Sequence, residues 1–248
     1  MINAIRSEWI KLRTARSNIV LMCVAIGAPL LVSTLTSLFN DFQFDDGLDT
    51  FGTTVLGPCF ICVFLAGVIG VLGIGQEYRH NTIRVTFAAE PRRSRVLTAK
   101  VIVTTAFGAG IALVTQTLCY IEASIILRAR DVHIGITDPG ENLAGFVGQV
   151  VLSGLFTLLG FGICAAMRQP AGAIPLLLLW PLIGEGIIGG IFPSIGKWLP
   201  FRNGLRLPLT GDVGDDEVLS RLGAGLYFGA FVLLVVAVGW FLVERRDA

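Results

Sequence analysis

Six apolar blocks, each about 20 residues or longer, occupy most of this chain, and that length is what a hydrocarbon core of about 30 Å demands of a helix. They fall at roughly 18–39, 51–75, 100–127, 144–166, 173–192 and 223–243. With 54% hydrophobic and only 15% charged residues among 248, and a mean hydropathy of +0.75, the chain lies far from a globular composition, where about a quarter of residues are charged. Short strands of alternating polarity, the mark of a membrane β-barrel, are missing. The predicted fold is all-α: one polytopic membrane domain over 1–248 with six transmembrane helices.

Basic residues orient the bundle. With the N-terminus inside, inner segments hold 13 of the 19 Lys and Arg, and outer segments hold Arg128, Arg130, Lys197, Arg202, Arg206 and Arg221. The positive-inside rule therefore places both termini in the cytoplasm. The 40–50 loop, with Asp41, Asp45, Asp46 and Asp49 and no base, falls outside. No cleavage site follows the first block, which reads as a retained span.

Residues 1–17 are expected to form an interfacial helix, because Ile2, Ile5, Trp9 and Leu12 recur at helical spacing and Trp suits the headgroup zone. Arg16 would project near the apolar side and snorkel. The fifth block carries Pro175, Pro181, Gly184, Gly186, Gly189 and Gly190, so a kink or interruption is expected there. The 193–222 stretch is too apolar for a plain external loop, and a partly re-entrant course is expected, provided that protein covers its backbone.

The five cysteines sit inside apolar blocks, and Cys59-x-x-Cys62 has no second pair or nearby His, so they read as packing residues and no metal site is expected. His80 and His133, the only histidines, fall on opposite sides, and no catalytic pattern appears. The halves share no internal repeat, which argues against inverted-repeat secondary transporters.

Between the second and third blocks lies a charged insert, 76–100, with Arg79, Arg84, Arg92, Arg93, Arg95 and Lys100 against Glu77 and Glu90. His80 to Ala89 can form a short helix whose Ile83 and Phe87 make an apolar ridge at i, i+4. Pro91 ends it and can open the next helix. The result is an Arg-rich helix with an apolar knob at the membrane surface, suited either to docking a soluble partner or simply to fixing topology.

This stretch resembles the first cytoplasmic loop of ABC-2 type transporter permeases, actinobacterial-style. The likeness rests on Glu77, Tyr78, Arg79 and Thr82, then Ile83 and Arg84, then Pro91, Arg92, Ser94, Arg95, Leu97 and Lys100. Glu8-Trp9-Ile10-Lys11 with Arg13, Thr14, Arg16 and Ser17 is similar to the N-terminal stretch of such permeases. Asn81 stands where the family usually has Gly, and Glu90 makes the break before Pro91 unusually acidic.

The resemblance implies the permease of an ATP-driven exporter in the bacterial plasma membrane, carrying a drug, lipid or peptide of amphipathic or hydrophobic character. Its partners would be two copies of an ABC ATPase subunit and a second permease chain, with no nucleic acid. The 76–99 insert would be the coupling element, with Glu77, Tyr78, Arg79, Thr82, Ile83, Arg84 and Phe87 in contact with the ATPase. ATP and Mg would be held by that subunit and no cofactor by this chain, whose glycines lack the Lys-Ser/Thr of a phosphate loop.

Ionisable groups within spans are candidate site residues. Glu122 and Glu185, with Gln116, are candidates to line a substrate path in the outer half of the bilayer; equally, each carboxylate could find a local hydrogen-bond partner. Gly186 and Gly190 suit a subunit interface, and Gly67, Gly70 and Gly73 an intramolecular neighbour. An ion-gradient transporter using Glu122 and Glu185, or a non-transporting membrane anchor of a partner complex, is the alternative reading.

Overall fold

The structure is a computed structural model, and it describes residues 2–40, 48–80, 82, 93–137, 140–209 and 218–246. The described chain is helical, with six helices long and apolar enough to cross a membrane: Arg16–Phe39, Gly52–Arg79, Ser94–Arg128, Gly140–Met167, Pro170–Ile191 and Arg221–Arg245, spans 1 to 6. An even number of spans puts both termini at one end of the bundle, here the terminal end. A preceding helix, α1 (Ile2–Thr14), packs there against the early part of span 3.

Observed spans run longer than the expected blocks because paired or interfacial polar residues extend each helix beyond its apolar centre. Span 3 starts near Ser94 rather than residue 100, since Lys100 has partners and does not break the helix. Chain direction changes at Ala15, whose extended backbone (φ −68°, ψ 122°) separates α1 from span 1. Arg16 therefore opens span 1, exposed, instead of closing the amphipathic helix.

Spans 2, 3 and 4 make the core, with 67%, 56% and 61% of their apolar stretches buried, against 17%, 17% and 22% for spans 1, 5 and 6. Glycine lets spans 2 and 4 touch backbone to backbone. A Cβ at Gly70 would stand 1.9 Å from the Thr157 carbonyl oxygen. Gly67 faces Leu177 and the Phe156 carbonyl, and Gly73 faces Thr104, so all three serve intramolecular packing.

Two spans contain a π-turn beside a proline. Gly57 N–H bonds the Gly52 carbonyl just before Pro58, and Glu185 N–H bonds the Trp180 carbonyl across Pro181. A missing proline N–H removes one rung of the α ladder, and the wider turn absorbs the defect. Span 5 is thereby bulged but continuous.

After span 5 the chain turns back into the bundle through two short helices, Pro193–Gly196 and Pro200–Gly204. Phe201 packs on Phe156, midway along span 4, at 5.7 Å between ring centroids, and on Phe228 of span 6 at 5.6 Å. From Phe201 to Pro208 most residues are buried, so protein covers the backbone there, as burial at that depth requires, whereas Pro193–Gly196 is largely exposed. The acidic run Asp212, Asp215, Asp216 and Glu217 lies outside the described residues.

Candidate functional site

At the terminal end, three elements bring four charges into a closed ring. Lys100 of span 3 donates to Glu8 Oε2 of α1 at 2.5 Å and to Glu77 Oε1 of span 2 at 2.8 Å. Lys11 donates to Glu8 Oε1 at 2.8 Å and to Glu77 Oε1 at 2.9 Å. Lys100, Glu8 and Glu77 have side chains only 3%, 7% and 10% exposed, whereas Lys11 reaches solvent at 46%.

Local geometry explains the arrangement. Glu8 and Lys11 are three apart, so both project from one side of α1. Leu12 is buried on that side, and Trp9 meets Phe107 of span 3 edge-on at 5.6 Å. Asn18 donates to the Leu12 carbonyl at 3.1 Å, and Gln76 donates to Ser17 Oγ at 2.8 Å, tying span 1 to both neighbours. With two acids and two bases the ring is neutral, the condition under which buried charge is tolerable. Burial disfavours the Lys11 ammonium, but hydrogen bonds to Glu8 and Glu77 outweigh it and hold the Lys11 pKa above its ordinary value.

The ring closes the root of the charged insert. Glu77 sits at the end of span 2 and Lys100 near the start of span 3, so their pairing joins the two ends of the intervening segment. Span 2 finishes with Thr82 N–H on the Glu77 carbonyl at 3.0 Å, the bond of a Schellman ending. Arg79 and Thr82 are exposed there; Tyr78 is half-buried, with the Arg168 guanidinium 6.0 Å from its ring centre. Ile83, Arg84, Phe87 and most of the helix expected from His80 to Ala89 lie outside the described residues.

The three intramembrane candidates are separate from one another. Gln116 is fully buried and donates to Gln149 of span 4 at 3.3 Å; Gln149 in turn donates to the Leu56 carbonyl at the π-turn of span 2, at 2.9 Å. Glu122 is half-buried and accepts a hydrogen bond from Thr34 of span 1. Glu185 is buried, and its two oxygens accept the backbone N–H groups of Phe201 at 3.0 Å and Arg202 at 2.8 Å. It anchors the re-entrant segment to span 5.

Sequence reasoning singled out Glu77 but not the ring that holds it. The available signal was Glu8, three residues after Ile5 and four before Leu12, a carboxylate within the apolar stripe of α1. Among the described residues no group of three or more His, Cys, Asp or Glu could hold a metal. The cysteines there are free, and all but Cys23 are buried.

Fold and site define a polytopic helical membrane protein whose charged insert is rooted in a buried ion ring. Residues 4–182 match the family model described as ABC-2 family transporter protein. The chain belongs to that family and is a membrane permease of an ABC transporter. No curated protein and no solved structure matches it.

Proposed function

We propose that this chain is the permease of an ATP-driven exporter, and that its 76–99 insert receives mechanical force from an ABC ATPase subunit. The observation that carries the reading is the ion ring. A push on the insert cannot move span 2 without span 3, because Glu77 and Lys100 join them, nor either span without α1, because both lysines also hold Glu8. Within this reading Arg79, Thr82, Ile83, Arg84 and Phe87 meet the ATPase, while Glu77 and Tyr78 fix the root from inside.

The terminal end is the cytoplasmic face of a bacterial plasma membrane in this reading, as the excess of basic residues favours. A second permease chain, identical or related, covers span 5 and completes the substrate path. Support comes from span 5 itself: it is 17% buried, and a Cβ at Gly186 or Gly190 would meet nothing within 4 Å. Glu122 is the acid best placed to face a substrate, since Gln116 and Glu185 are enclosed by this chain alone. The substrate is amphipathic or hydrophobic, as the family resemblance implies, and two ATPase copies bind ATP and Mg.

The test is co-purification with an ABC ATPase followed by reconstitution. The reading expects a stable complex whose ATP hydrolysis continues in Arg84→Glu while transport of the candidate substrate falls. A chain that captures no ATPase, or an Arg84→Glu variant that transports normally, would refute it.

A further inference from the structure

A cavity of about 670 Å³ opens at the terminal end, between the start of span 1, the end of span 2 and the start of span 5. Its wall carries Arg16, Arg79, Arg168 and His80, and its apolar floor includes Leu72 and Ile174. No carboxylate belongs to the lining among the described residues; Glu77, the nearest acid along span 2, is engaged in the ion ring.

The backbone adds to the same field. Two spans begin at this cavity, at Ala15–Arg16 and Gln169–Pro170, and neither N-cap residue makes a side-chain capping bond. Helix N-termini carry partial positive charge and outward-pointing N–H groups, so both favour an anion in the space between them. The exposed guanidinium groups of Arg16 and Arg79 present planar donors suited to phosphate oxygens. The depth also fits: helix ends lie at headgroup level, with an apolar floor leading toward the lipid chains.

We propose that this cavity is a binding site for the phosphate of an anionic amphiphile, a headgroup of the leaflet on the terminal side or a soluble phosphate ester. The site goes beyond the transport reading but shares Arg79 with the surface which that reading sets against the ATPase; lipid binding by the chain reads the phosphate site separately.

The test uses the full chain in detergent, with phosphatidylglycerol, phosphatidylcholine and glycerol phosphate as probes and binding followed by native mass spectrometry. Wild type should bind phosphatidylglycerol about tenfold more tightly than phosphatidylcholine, and Arg16→Gln with Arg79→Gln should erase that preference. Arg95→Gln, exposed on span 3 outside the cavity, should keep it. Because Arg79 is exposed, Arg79→Gln alone provides the same test should the double variant fail to fold. Arginine-dependent binding of glycerol phosphate as strong as that of the lipid assigns the site to a soluble ester; binding of the lipid alone assigns it to a headgroup; either upholds the phosphate site. Equal affinity for both lipids, or an unchanged preference in a folded variant, overturns it. So does a variant that keeps the preference and loses only its ATPase subunit, since the patch would then be a protein contact.

Discussion

Lys100 and Glu77 stand at the two roots of the arginine-rich insert, and their side chains meet at 2.8 Å. The pairing makes the segment between them a closed loop whose ends move together, and Glu8 binds the same ammonium at 2.5 Å.

Removing Lys100 leaves two buried carboxylates sharing Lys11. Breaking a buried ion pair by deleting one partner costs about 3–5 kcal/mol. Lys100→Met should therefore lower the melting temperature in detergent sharply. Adding Glu8→Gln to Lys100→Met should cost less than the sum of the single changes, because the second substitution relieves a charge that the first stranded. Strict additivity would show that the ring does not act as a unit.

Glu185→Ala would strand the buried N–H of Phe201, at about 1–3 kcal/mol, and release the part-buried N–H of Arg202 at a smaller cost. The expected readout is faster labelling of a cysteine placed at Leu205 in the re-entrant segment. Glu185→Gln, which keeps an acceptor, should show a smaller increase. Equal labelling of wild type and Glu185→Ala would remove the anchoring role.

These two contacts also show how far the sequence could be read. The six spans were legible because an apolar run of bilayer length has few alternatives. The apolar, proline-containing character of 193–222 leads to the expectation of a partly re-entrant course, and Phe201 packs on Phe156, midway along span 4. The ion ring was not legible, since its members are three to 92 residues apart and a periodic pattern names a face without naming what it faces. Glu8 sat on the apolar face of α1 in plain view, yet its partner emerges only when span 3 is placed beside it. Glu185 was recognisable as a costly charge, but the backbone groups that satisfy it belong to a loop whose return path depends on Phe201 reaching Phe156.

Glycine positions separate internal packing from assembly. Gly70→Ala forces a Cβ against the Thr157 carbonyl, 1.9 Å away, so the folded monomer should be lost. Gly190→Leu points into open space and should leave monomer melting unchanged. If a second permease chain covers span 5, the same Gly190→Leu should lower the dimer fraction in cross-linking assays. An unchanged dimer fraction would place the subunit contact elsewhere.

The sign of the Lys11 shift sets a pH dependence. A lysine whose folded pKa lies above its ordinary 10.5 contributes fully below that value and loses its contribution as pH rises through the folded pKa. Lys11 is half-exposed, so the effect is modest. With the other three tryptophans replaced by Phe, Trp9 emission should hold steady from neutral pH to about 10 and shift above it as α1 loosens against Phe107. The alkaline shift should diminish in Lys11→Gln; an identical shift in that variant would separate it from Lys11.

Site-specific photo-cross-linking bears most directly on the claim that force enters through the insert. A photoreactive residue at position 84 or, at the opposite end of the bundle, at position 197 is introduced into the chain co-expressed with its ABC ATPase subunit. The account predicts an ATPase adduct from 84 and none from 197. An adduct from 197, or none from 84 in a complex that purifies intact, would contradict it.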